Sequence, residues 1–245
     1  MPDTELKNIA LLIDADNTTP KGIDPVLTVM AELGQVNIKR AYGNFAKNNL
    51  QNWDKITHKY GIRPQQQFDL TAGKNATDMA MTIDAIDLLY QGKVDGFGIM
   101  SSDSDFTPLV TRLRQDGLVV YGFGSTKKTP DAFKSACTRF IDIDALIKGA
   151  EDEGQDTPGG SGKSAPRKGT VDDDLVALLG TAWKAAKRDE EGFAALSEVG
   201  NIAGNRSSFD VRNYGFKRLS ELARSLAQFE VKPGDNGQLM IKRLR

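Results

Sequence analysis

The sequence predicts an α/β domain built on a mostly parallel sheet, followed by a small α+β domain of winged-helix type. Three features lead there. Short apolar runs alternate with helix-like stretches from Ile9 to Ile143, a glycine- and proline-rich stretch interrupts the chain between Glu151 and Gly169, and helix-like segments beyond it give way to two strand-like runs around a turn. Strand alternating with helix builds βαβ units, and these make a parallel sheet.

Taken in order, 9–13 reads as the first strand and 25–33 as the helix after it, and 36–42 with 50–60 and then 62–67 with 76–90 repeat the pattern. Residues 97–100, 119–123 and 140–143 supply further strands, with a helix at 106–114. The interruption carries Gly154, Pro158, Gly159, Gly160, Gly162, Pro166 and Gly169 among charged and small residues, a flexible-linker composition. Domains are therefore expected at 1–149 and 170–245, with a linker over 150–169. Behind it, 172–187 opens with acidic residues suited to a helix N-terminus. Residues 196–202 and 214–225 read as two more helices, and 229–231 and 238–243 as strands flanking a turn at 233–237.

Hydrophobic residues make up 39% of the 245, enough to bury a core without staples. A net charge of −1 gives no global pull toward nucleic acid, so any such contact must use local patches. Cys137 is the lone cysteine, which excludes an intrachain disulfide and a cysteine-rich zinc site and suits a reducing setting. Residues 1–7 lack a signal-peptide pattern, and no run approaches the roughly 20 apolar residues of a membrane span. A soluble cytoplasmic protein with no membrane partner is expected.

Parallel sheets place their chemistry beyond the carboxyl ends of the strands, at a switch in strand order. Asp14 and Asp16 follow the first strand, Asp103 and Asp105 follow 97–100, and Asp78 opens the helix at 76–90. If these points converge, four or five carboxylates share one pocket, which like charges do only around a cation. Hard divalent cations take oxygen ligands, and Mg²⁺ commonly uses one or two carboxylates and keeps several waters. Two such ions about 4 Å apart can flank a phosphodiester, one activating water and one stabilising the leaving oxygen. For Asp16 and Asp105, helix capping is an equal alternative, and Ser102 and Thr107 either orient a ligand or, the preferred reading, cap the helix at Phe106. Asp84 lies roughly 120° around the helix from Asp78, which assigns it a structural role.

Asp14-Ala15-Asp16-Asn17-Thr18 also resembles the nucleophile motif of haloacid-dehalogenase phosphatases, one motif deep. His58 is the only histidine, so a triad would rest on one candidate, and Cys137 reads as a small buried hydrophobe. Neither a dinucleotide-binding nor a P-loop glycine pattern is present.

Four stretches make a recognisable set: 12–17 with Asp14, Asp16 and Asn17; 40–43, Arg-Ala-Tyr-Gly; 74–78, Lys-Asn-Ala-Thr-Asp; and 101–109 with Asp103 and Asp105. With them the front domain resembles the NYN domain, a relative of PIN nucleases with a three-layer, FLAP-like α/β fold. That resemblance implies metal carboxylates at Asp14, Asp78 and Asp103, with Asp105 close by as a fourth catalytic acid and Asn17 as a polar neighbour. It further implies hydrolysis of RNA with Mg²⁺ or Mn²⁺. Some relatives are regulatory, so an RNA-binding regulator that does not cut remains the alternative. The tail, through 196–201, 209–219 and 229–231, resembles the OST-HTH or LOTUS domain, an RNA-binding winged helix. Its Arg206, Arg212, Lys217 and Arg218, interleaved with Tyr214 and Phe216, suit RNA; the competing reading packs the aromatics in the core. In front, Lys39, Arg40, Lys47, Lys74, Lys127 and Lys128 fall near expected strand ends, Lys74 being the best placed for substrate.

Overall fold

The structure is a computed structural model that describes residues 6–68, 75–153, 173–234 and 237–244. It divides into two compact units, Met1–Ala150 and Glu151–Arg245.

In the first unit the chain runs β1 (Leu6–Asp14), α1 (Ile23–Leu33), β2 (Gly34–Gly43), α2 (Asn52–Tyr60), β3 (Arg63–Gln66) and α3 (Ala76–Gln91). It continues through β4 (Gly96–Met100), α4 (Thr107–Gln115), β5 (Val119–Gly124), α5 (Asp131–Ala136), β6 (Arg139–Asp142) and α6 (Ile143–Glu153). All strand pairings are parallel, in the order β3-β2-β1-β4-β5-β6. The order grows outward from β1 to β3, then resumes on the other side of β1 with β4. Loops leaving β1 and β4 therefore diverge to opposite faces and open a crevice at their carboxyl ends.

Each face of the sheet is covered, which explains why the strands read as continuous apolar runs. Ile9, Leu11 and Ile13 pack with Ile23, Val26 and Met30 of α1 and with Trp53 of α2. Ala10 and Leu12 point the other way, toward Met81, Ala85 and Leu88 of α3 and Leu109 and Leu113 of α4. Fully burying each such side chain contributes about 1.5–3 kcal/mol, so the three layers are held by the sum of many small gains.

The elements depart from expectation in several places. The helix expected at 50–60 is split into a 3-10 turn, Asn48–Leu50, and α2. Helices α5 and α6 were not foreseen, and α6 runs through Glu153, so the first residues of the expected linker are helical. The rest of that stretch, 154–169, lies outside the described residues, as does Lys74.

The second unit holds α7 (Asp173–Ala185), β7 (Ala194–Ala195), α8 (Leu196–Arg206), α9 (Leu219–Ser225), β8 (Phe229–Pro233) and β9 (Leu239–Arg243). Its strands form a small antiparallel sheet, β7-β9-β8, over a core of Leu175, Leu179, Val199, Leu222 and Ile241. The single helix expected at 214–225 is instead a 3-10 turn, Val211–Tyr214, followed by α9. Gly215 separates them at φ 80°, a left-handed conformation that glycine adopts without steric penalty and that stops a right-handed helix.

Candidate active site

The site is built where the strand order turns back. Ile13 of β1 pairs with Met100 of β4, so Asp14 and Ser101 emerge side by side at the carboxyl edge. The Ser101 hydroxyl donates to Asp14 Oδ2 at 2.8 Å, and Asn17 donates twice, from Nδ2 to Oδ2 at 3.0 Å and from its backbone N to Oδ1 at 3.2 Å. Asp14 is fully buried. Burial pushes its pKa above the usual carboxylate value, the hydrogen bonds from Ser101 and Asn17 pull against that, and burial prevails.

Helix α3 brings its first turn to the same edge. The buried Thr77 donates to Asp16 Oδ2 at 2.8 Å, and Asn75, just before the helix, donates to Asp105 Oδ2 at 3.1 Å. Asp78 follows Thr77 and is surrounded by acids. Burial and then repulsion from Asp14, Asp103, Asp105 and Asp16 push its pKa up to about 6. Five carboxylates thus share one field, with Lys47 Nζ 3.8 Å from Asp16 as a partial counterweight.

Asp103, rather than Asp105, does the capping here: its Oδ1 accepts from the Asp105 backbone N at 2.9 Å at the start of the 3-10 turn Ser104–Phe106. Ser102 accepts from Ser125 N at 3.1 Å, linking the loops after β4 and β5, and Thr107 donates to the Ser104 carbonyl; neither caps α4. Sequence reasoning gave Ser101, Asn75 and Thr77 no role, yet each ties an acid-bearing loop to its neighbour. Their signal is proximity in sequence, one to three positions from an acid.

Asp84 lies apart from this cluster. It forms an ion pair with Arg40 and accepts from the Tyr42 hydroxyl. Arg40, expected near a strand end, stands inside β2 and is engaged there, and Lys39 Nζ donates to the Tyr60 carbonyl at 2.6 Å. Two of the expected substrate cations are therefore structural. His58 is exposed on α2. Cys137 is buried, and burial pushes its thiol up to about 12.

In the second unit Arg212 grips the buried Asp210, at 3.0 Å, and Tyr214 is half-buried, its ring 6.0 Å from that of Phe209. Tyr214 and Phe216 both pack on the core. Lys217 and Arg218 stay exposed ahead of α9.

The cluster suits a hard divalent cation by charge and by donor type. Among the described residues, no three His, Cys, Asp or Glu side chains stand close enough to enclose a metal ion. Mg²⁺ needs no such enclosure, because it binds through one or two carboxylates and retains water toward the others.

A parallel α/β/α sandwich with acids gathered at its switch point is the architecture of a PIN-like domain. The family model of the NYN domain matches residues 8–144, and the chain belongs to that family; the OST-HTH/LOTUS domain follows at residues 168–241. The two together describe an RNA-binding, nuclease-like architecture. An uncharacterized protein of Methanocaldococcus jannaschii is 29% identical over 140 residues, 55% of this chain and 55% of that protein, so the chain spans about half the length of that relative. A solved protein of unknown function from Vibrio parahaemolyticus is 21% identical, with a TM-score of 0.48 over 60% of this chain and 98% of its own.

Proposed function

We propose that the chain is a metal-dependent ribonuclease that hydrolyses RNA phosphodiester bonds at the acidic edge, with RNA captured by the OST-HTH domain. The observation that supports this most is the crowding of Asp14, Asp16, Asp103 and Asp105 around Asp78, strong enough to raise its pKa to about 6. So much uncompensated charge favours a bound cation over an empty pocket. Asp14, Asp78 and Asp103 would hold Mg²⁺ or Mn²⁺, which supplies an activated water and stabilises the leaving oxygen.

The chain's own residues do the rest. Ser101 and Asn17 fix the Asp14 carboxylate in one orientation. Asp105, held by Asn75, stands ready to accept a proton from attacking water. Asn17, beside the acids, and Lys74 contact substrate, while Lys217 and Arg218 bind RNA in the tail together with the outward edges of Arg212 and Tyr214, which Asp210 and Phe209 hold in place. Residues 150–169 tether the front domain, 1–149, to the tail, 170–245, and raise the local concentration of RNA. A cytoplasmic setting belongs to the same reading; among the described residues, no helix is long and apolar enough to cross a membrane.

The test is cleavage of labelled single-stranded and structured RNA with Mn²⁺, Mg²⁺ or EDTA, beside Asp14→Asn and Asp103→Asn. Cleavage should require metal and fall by roughly a hundredfold or more in both variants. Binding without cleavage in every condition would move the assignment to a non-catalytic RNA-binding regulator. The phosphatase alternative retains only its single motif, Asp14-Ala15-Asp16-Asn17-Thr18.

A further inference from the structure

The first unit contains a cavity of about 490 Å³ bounded by the edge strand β3, the loop after β2, and helix α2. Phe45, Leu50 and Pro64 give it apolar wall, and Gln51, Asp54 and Gln66 give it polar groups. The wall is preformed, because Gln66 Oε1 accepts from Phe45 N at 2.9 Å while Gln66 Nε2 donates to Asn44 Oδ1 at 2.9 Å. Asp54 presents a carboxylate that is 78% exposed, with His58 Nε2 3.5 Å away.

This cavity adjoins the acidic edge. Leu50 Cδ1 and Asp16 Cγ lie 3.1 and 3.6 Å from the single point where a Cβ on Gly43 would stand, so cavity wall and acidic cluster meet across the end of β2. The loop that forms the wall also carries Lys47, 3.8 Å from Asp16. A polynucleotide whose backbone crossed the acids would bring a neighbouring base beside this opening.

We infer that the cavity is a nucleobase subsite and that guanine is the base it takes; for the course of the backbone this rests on the ribonuclease proposal. An apolar wall that carries the part-buried ring of Phe45 offers any base a stacking contact. Selection comes from Asp54, since an ionised carboxylate only accepts hydrogen bonds. Guanine alone presents two adjacent donors on its Watson–Crick edge, the ring imino and the exocyclic amino group. Adenine and cytosine set one amino donor beside an acceptor, and uracil sets one imino donor between two acceptors, which the carboxylate repels.

The test titrates the full-length protein, in EDTA, with GMP, AMP, CMP and UMP by calorimetry and NMR chemical shifts, alongside Asp54→Asn and Phe45→Leu. Circular dichroism checks that each variant folds, and Asp54→Asn alters only an exposed side chain. GMP should bind about tenfold more tightly than the others, and Asp54→Asn should erase that preference. Phe45→Leu should weaken all four about tenfold. Failure of GMP to bind at millimolar concentration, equal binding of all four, or a GMP preference that survives Asp54→Asn overturns the inference. The two proposals separate cleanly. Metal-dependent cleavage without guanine binding removes the subsite and leaves the ribonuclease; Asp54-dependent GMP binding without cleavage does the reverse.

Discussion

Helix α3 carries two part-buried carboxylates, Asp78 in its first turn and Asp84 near its middle, besides the exposed Asp87. Asp84 meets a guanidinium and a phenol hydroxyl, so its charge is matched within the fold. Asp78 meets four other carboxylates, and its pKa rises to about 6. Burial does not distinguish them. The sign of what surrounds each one does: a carboxylate with a cation supplied by the protein serves stability, and one surrounded by like charge awaits a cation from outside.

The largest effect expected from breaking this contrast is at Asp84. Asp84→Ala leaves the Arg40 guanidinium and the Tyr42 hydroxyl without their partner under α3, and should destabilise the fold by about 3 kcal/mol. Urea denaturation measures this directly. An unchanged midpoint would show that the pair is solvated and contributes nothing. If Asp84 is purely structural, residual folded protein should keep its metal requirement for RNA cleavage. Next in size is Ser101→Ala, which removes a hydrogen-bond donor from the buried Asp14 carboxylate. The loss is about 1.5–2 kcal/mol. It should appear as an upward shift of the acidic limb of the pH–rate profile, since Asp14 loses one of the contacts that favour its ionised form. A profile that keeps its midpoint while its height changes would assign Ser101 to packing alone.

Much of this arrangement was legible in the sequence because it rests on local signals. The sheet announces itself through continuous apolar runs, which follow from burial on both faces. The acids were found because each stands just after a strand or at a helix start. Periodicity also placed Asp84 away from Asp78. It could not name Arg40 and Tyr42 as partners, because they come from a strand forty residues earlier that meets α3 only after folding. For the same reason Arg40 looked like a strand-end cation. The break at Gly215 was missed because Tyr214 to Ser225 has acceptable helical spacing and only the backbone angle reveals the stop. The cavity beside β3 was invisible in sequence, since its walls come from a strand, a loop and a helix that are individually unremarkable.

The smallest and most discriminating effect concerns Asp78 without metal. Its pKa in the folded chain, about 6, exceeds the ordinary value of 3.8. The folded protein therefore binds this proton more tightly than the unfolded chain does. The resulting stability is fully present below pH 3.8 and is lost as pH rises through about 6. Above that, ionised Asp78 opposes folding. After allowance for solvent screening at a part-exposed site, the opposition amounts to about 1 kcal/mol. Asp78→Asn is neutral throughout, so in EDTA it should unfold at a higher temperature than the parent at pH 8, with the gap closing by pH 4. Adding Mg²⁺ at pH 8 should stabilise the parent and leave the variant nearly unmoved, which reverses the order. A gap that does not change with pH would mean that the crowding of the acids is relieved by water alone, and the case for a cation at this edge would lose its electrostatic basis.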